Sequence, residues 1–227
     1  MQISRKLLAL LFAGAVFAPA ANALDSNGRL AVPIENVSRT GEQKSSLAGW
    51  KVKEWDGKAD VEVVDTDIGK AIHLRSNSTS TALYREMAID VKRYPMLSWK
   101  WKVTRLPKGA DVRGKATDDQ AAQLYVIFPY KWPAALNSRL IGYIWDTTAP
   151  KDAVVTSAKN SNIRYIVLRS GAAGTGKWQE EQRNVYEDYK KLFGDEPPEA
   201  TALSVMIDSN DTRSNAESFV GDIYLSR

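Results

Sequence analysis

The chain has 227 residues, with 31 Lys and Arg against 27 Asp and Glu, one His and no Cys, for a formal net charge of +4. Without cysteine there is no disulfide, no thioether-anchored lipoprotein and no thiolate metal site, so stability must come from packing. The charge excess is small and dispersed among acids, which excludes the basic stripe of a nucleic-acid binder and predicts an ordinary solvated surface.

The first 23 residues form a leader pattern. Arg5 and Lys6 precede an apolar run over 7–17 that is too short to span a bilayer comfortably. Ala21-Asn22-Ala23 then puts small residues at the two positions a signal peptidase reads. Cleavage after Ala23 and export to the periplasm or beyond are the expectation. Losing Arg5 and Lys6 would lower the charge of +4 by two, to about +2. No later segment is apolar enough to cross a membrane.

Residues 24–48 are polar and aperiodic and read as an N-terminal extension, with an edge strand over 31–34. From Trp50 the pattern changes to short extended segments separated by turns. Strands are expected over 59–64, 71–75 and 82–85, with a turn over 65–70 and a Ser/Asn/Thr loop over 76–81. In 98–103, Trp99, Trp101 and Val103 alternate with Ser98, Lys100 and Lys102, the pattern of a half-buried antiparallel strand. A polar loop over 106–117 leads to apolar strands at 123–128 and 140–145, and a further strand follows at 164–169. Over 182–193 the period becomes helical, with Val185, Tyr189 and Leu192 on one side and Gly194 as a stop. Strands at 203–208 and 219–225 close the chain. The expectation is one mostly β domain over 49–227, a single antiparallel β-sandwich or jelly roll with one inserted helix near 182–193.

Several segments carry a resemblance. Ser98-Trp99-Lys100-Trp101, Leu106-Pro107, Ala116-Thr117-Asp118-Asp119, Ile141-Gly142-Tyr143-Ile144-Trp145, Arg169-Ser170-Gly171, the run 183–189 and Gly221-Asp222-Ile223 together resemble a bacterial family of exported proteins. That family is a domain of unknown function, number three thousand and forty-seven, and its name implies no activity. A looser likeness is to carbohydrate-binding jelly rolls of the galactose-binding type. It rests on Tyr94-Pro95-Met96-Leu97-Ser98 before a central strand and on Gly221-Asp222-Ile223-Tyr224-Leu225 at the end. This likeness implies a fold more than a function.

Chemistry-bearing residues are few. Gly171 to Lys177 matches most of a phosphate-binding loop, but Trp178 stands where Ser or Thr should hold Mg²⁺, so a flexible loop between a strand and a helix is expected. Glycoside hydrolysis needs two carboxylates roughly 5 to 10 Å apart across the sugar. Adjacent acids on a strand point to opposite faces, so Asp118-Asp119, Glu180-Glu181 or Glu187-Asp188 alone cannot supply them. Asp119 with Glu187 or Asp208 is the pairing to examine. Asp118-Asp119 otherwise caps a turn and binds an arginine such as Arg105 or Arg113. The single His73 cannot build a zinc site and no nucleophile elbow accompanies it. Asp208, Asn210, Asp211 and Asp222 are the metal candidates. Their oxygen donors suit a structural Ca²⁺, the one cofactor the sequence suggests, although Arg213 and Phe219 break the EF-hand pattern.

Seven tryptophans stand out. Trp99 and Trp101 are expected in the core. Tyr125, Tyr143, Trp145 and Arg169, with Asp119, are the candidates to line a sandwich face and hold a polar small molecule or glycan through flat rings and polar tips. Three functions remain open at this point: a non-catalytic exported binding module, a carboxylate-dependent envelope glycan hydrolase, and a structural partner of another envelope protein. The sequence does not address oligomeric state.

Overall fold

The computed structural model describes residues 24–37, 46, 47, 49–131, 133 and 137–227. The leader pattern over 1–23 and Trp132 lie outside the described residues.

The strands in chain order are β1 (Leu30–Ala31), β2 (Asn36–Val37), β3 (Ser46–Leu47), β4 (Lys51–Asp56), β5 (Asp60–Thr66), β6 (Gly69–Asn77), β7 (Ser80–Ile89), β8 (Met96–Arg105), β9 (Ala122–Phe128), β10 (Arg139–Asp146), β11 (Val154–Thr156), β12 (Ile163–Ser170) and β13 (Gln179–Asn184). Helix α1 (Val185–Phe193), β14 (Ala200–Asp208) and β15 (Asn215–Ser226) complete them. One sheet runs β13-β8-β15-β6-β5, with β1 added to β15. A seven-stranded sheet runs β11-β12-β10-β9-β14-β7-β4, and β2 pairs with β3. The two large sheets form a β-sandwich. Its pairs are antiparallel except β10 with β12, a parallel pair, because the intervening β11 returns the chain to the outer edge of β12.

Alternation builds the core. Trp99, Trp101 and Val103 of β8 point between the sheets and are buried, as their spacing predicts. They meet Leu124, Val126 and Phe128 of β9, Ile141, Tyr143 and Trp145 of β10, and Leu203, Val205 and Ile207 of β14. Trp99 packs edge-on against Trp101 at 5.3 Å from the Tyr143 ring and 5.4 Å from the Trp101 ring. Three of the four polar tips are satisfied: Trp101 Nε1 donates to Glu181, Trp145 Nε1 to the Gly171 carbonyl and the Tyr143 hydroxyl to Asp188, while Trp99 Nε1 is buried without a partner among the described residues. Leu30, Val32 and Ile34, from the stretch read as an extension, are buried in the same core.

Helix α1 starts at Val185, three residues after its expected start, because 182–184 pair with 96–98 in β13 and Asn184 caps the helix by accepting the Glu187 N–H. Gly194 ends it at φ 74°. Val185 and Tyr189 of α1 close one end of the core. The Gly-rich loop over 171–178 joins β12 to β13, two strands in different sheets, and not a strand to a helix. Among the described residues no helix is long and apolar enough to cross a membrane.

The seven-stranded sheet is also apolar on its outer face. Tyr125, Ile127, Ile144, Tyr165, Val167 and Met206 form a second cluster there. Val112 and Ala149, from the loops after β8 and β10, cover part of it. Buried Asp146 holds these loops down by accepting N–H groups from Val112, Thr148 and Ala149. The uncovered part of this face forms a cleft.

Candidate functional site

Register decides what the cleft contains. Paired residues on neighbouring strands face the same way. One row crosses the whole seven-stranded sheet: Lys51, Tyr84, Ser204, Tyr125, Gly142, Tyr165 and Val155. In its middle Gly142 has no side chain, and the Tyr125 and Tyr165 rings close over it from either side. A Cβ there would lie 2.8 Å from an atom of each ring. The rings meet at 6.2 Å, inclined at 62°.

The two tyrosines and Met206 floor a cleft of about 550 Å³, and half-buried Trp55 on the edge strand β4 forms one wall. The polar rim comes from Lys53, Glu54 and Asp56 of β4, Ser80, and the loop residues Asp118, Ser157, Lys159, Asn210 and Asp211, with Asp208 behind them. The volume is that of a small-molecule site, apolar below and polar at a few convergent points.

A hydrogen-bond network underlies the floor. The Tyr125 hydroxyl donates to Gln123 Oε1. Gln123 Nε2 donates to Asp208 Oδ1 at 2.8 Å, and the Gln120 N–H donates to the same oxygen at 2.7 Å. Gln120 Nε2 donates to Asp118 Oδ1 at 3.1 Å. Lys159 donates to Asp211 and lies 3.7 Å from Asp118 Oδ2. Burial, with the like charges of Asp119 and Asp118, drives the Asp208 carboxyl well above the ordinary range. Burial also pushes Asp118 up to about 6; Lys159 and Gln120 oppose the rise, and Asp211 and Asp119 add to it.

The structure places the residues expected to bind a ligand in different surroundings. Tyr125 lies on the cleft floor. Tyr143 and Trp145 are wholly buried between the sheets, not on a face or rim. Arg169 is drawn inward as well, because a bulge between Ile144 and Trp145 places it opposite Trp145. Its Nε donates to Glu181 at 2.6 Å. Asp119 is fully buried and accepts the Asp211 N–H, the Thr212 N–H and the Thr212 hydroxyl, so it holds the loop after β14. Arg113 pairs with Asp111 and not with Asp118 or Asp119, because the loop turns it back onto its i−2 neighbour. Asp119 does not meet Glu187, which lies in the first turn of α1.

The metal candidates are not one group. Asp208, Asn210 and Asp211 line the cleft. Asp222 stands on the other sheet, where Lys100 donates to it at 2.9 Å. Among the described residues no set of three or more His, Cys, Asp or Glu side chains is arranged to hold a metal ion. His73 stacks on Phe219 at 4.0 Å between Glu62 and Glu217.

Sequence reasoning missed Trp55, Lys159 and Tyr165. A signal existed for Tyr165, whose alternation with Val167 puts both on one face. Trp55 and Lys159 reach the cleft only through the pairing of β4 and the path of the loop after β11.

No curated protein matches the chain. Among solved structures it is similar to a family 11 carbohydrate-binding module of the cellulosomal cellulase Lic26A-Cel5E of Clostridium thermocellum, at 11% identity and a TM-score of 0.42, covering 83% of this chain and 96% of that one. It is similar to a family 30 carbohydrate-binding module of the cellulase Cel9D-Cel44B of the same organism, at 12% identity and a TM-score of 0.45, covering 78% and 91%. It is also similar to the xyloglucanase domain of NopAA, a type three effector from Sinorhizobium fredii, at 10% identity and a TM-score of 0.44, covering 86% and 98%. A family model described as "Protein of unknown function (DUF3047)" matches residues 48–224, and the chain belongs to that family.

Proposed function

We propose that the protein is an exported, non-catalytic module that seats a glycan in the cleft of the seven-stranded sheet. One observation carries this: Trp55, Tyr125, Tyr165 and Met206 supply an apolar bed beneath a rim of amide, hydroxyl, ammonium and carboxyl groups. A sugar has the same division, with C–H faces that suit flat rings and hydroxyls that suit polar tips. Trp55 is the ring a ligand would meet first, since it is half-buried while Tyr125 and Tyr165 are nearly covered. Export rests on the leader pattern over 1–23.

The test is a thermal-shift screen against a panel of envelope and plant oligosaccharides, followed by calorimetry on each hit. A ligand of the folded state raises the melting temperature by mass action. Trp55→Ala should weaken binding by about tenfold or more while leaving the circular dichroism spectrum unchanged. A panel without a hit, or a Trp55→Ala protein that binds as tightly as the parent, would sink the proposal.

Hydrolysis has one observation in its favour. Asp118, raised to about 6, stands in the cleft near Asp211, and a carboxyl with a raised pKa is what a general acid requires. Turnover of a bound glycan that disappears in Asp118→Asn would replace the binding proposal with this one.

A further inference from the structure

The rim of the cleft is unbalanced in charge. Five carboxyl groups line it, on Glu54, Asp56, Asp118, Asp208 and Asp211, against the ammonium groups of Lys53 and Lys159. Lys159 is already engaged by Asp211. Lys53 lies over the Trp55 ring at 5.1 Å. Glu54 and Asp56 are exposed and have no ion-pair partner among the described residues.

A second observation marks where a ligand's charge would sit. Asp118 is 4% exposed yet lines the cleft. Its Oδ1 takes the Gln120 amide, but its Oδ2 has only Lys159 at 3.7 Å, too far for a hydrogen bond. That oxygen belongs to a residue that lines the cleft and is paired with Lys159 only at long range, so a donor on a ligand in the cleft can complete it. Burial raises the Asp211 carboxyl; hydrogen-bonded Lys159 lowers it, and the like charges of Asp119 and Asp56 push it up again. Leaving out Asp208, whose carboxyl is driven well above the ordinary range by burial, the four carboxyl groups of Glu54, Asp56, Asp118 and Asp211 still outnumber the ammonium groups of Lys53 and Lys159, so the rim is negative even with Lys159 in place.

We infer that the cleft takes an oligosaccharide bearing free amines, with one ammonium group seated among Asp56, Asp118 and Asp211. An ammonium brings three further donors and a second positive charge to a place where Lys159 alone faces several carboxyl groups. A uronate or phosphate would meet uncompensated carboxylates instead, and a neutral sugar would gain the apolar bed without the charge. The inference rests on the glycan-binding proposal above and narrows it to a ligand class.

The experiment is calorimetric titration of the protein at neutral pH and low salt with three oligomers of equal length: glucosamine, glucose and galacturonic acid. The glucosamine oligomer should bind about tenfold tighter than the glucose oligomer, and the uronate weakest. Added salt should shrink the advantage of the amine. Asp56→Asn, an exposed change that leaves packing alone, should remove most of it. Asp118→Asn should do the same, with folding checked by its melting curve. Equal binding of the glucosamine and glucose oligomers, or an amine preference untouched in Asp56→Asn, overturns this inference and leaves the glycan proposal standing. Tightest binding by the uronate also overturns it. Binding of none of the three, with no hit in the broader panel, overturns both.

Discussion

Asp118 has Lys159 3.7 Å from one oxygen and Gln120 Nε2 3.1 Å from the other, and almost no water. Burial, the largest influence, lifts its pKa from the ordinary 3.8 to about 6. The protonated form is thus favoured by folding, by about 3 kcal/mol at most. The stability this contributes is full below pH 4 and is lost as the pH rises through 6. Asp146, Asp208 and Asp211 shift in the same direction, each with burial as the first cause. Asp111 opposes them: the Arg113 side chain holds its carboxyl well below the usual range, and the stability it supplies is lost only at more acid pH. Urea unfolding should therefore show stability rising as the pH falls from 7 to about 4.5. In Asp118→Asn that rise should be visibly smaller. A parent protein whose stability falls steadily over this interval would contradict the assignment.

The row that crosses the seven-stranded sheet makes the cleft a property of strand register. Gly142 sits in that row because Tyr125 and Tyr165 occupy the space a side chain would need. Gly142→Ala puts a methyl group 2.8 Å from both rings. Two buried rings have to shift, at a cost of about 1–3 kcal/mol. The lost stability should appear in urea melts, and the glycan affinity should fall with it because the floor has moved. Unchanged stability would show that the rings yield freely. The two-residue period of β8 and β9 was legible in the sequence because each strand's inner face is uninterrupted: Trp99, Trp101 and Val103 in one, Leu124, Val126 and Phe128 in the other. The helix was legible from Val185, Tyr189 and Gly194, but its start was not, since 182–184 are claimed by pairing with β8. Arg169 shows the limit most clearly. Simple alternation sends it to the face of Tyr165, and a bulge against Trp145 sends it to Glu181 instead. Nor does alternation say which face is open. Tyr143 and Tyr125 look alike as strand tyrosines, and only the packing of the second sheet over β10 buries Tyr143.

At the scale of the molecule, the segment matched by the family begins at residue 48, while the core begins earlier. Leu30, Val32 and Ile34 are at most 8% exposed. β1 pairs with β15, the Val32 N–H donates to the Ile223 carbonyl at 2.9 Å, and Trp50 Nε1 donates to the Pro33 carbonyl at 3.0 Å. The edge strand expected over 31–34 is observed at Leu30–Ala31, but the polar, aperiodic composition of 24–48 concealed its burial, since three apolar residues spaced by two are a weak signal within 25 residues. Burying three such side chains contributes roughly 5 kcal/mol as an upper estimate. That is comparable to the whole net stability of many domains. A chain shortened to begin at Gly49 should thus melt about 10–20 °C below the chain that begins at Leu24, and Trp50 should become more exposed, with a red-shifted fluorescence maximum. Because the cleft lies on the opposite sheet from β1, the shortened chain should keep its glycan affinity at temperatures where it remains folded. Coincident melting curves for the two chains would show that the first strand rests on the sandwich without supporting it.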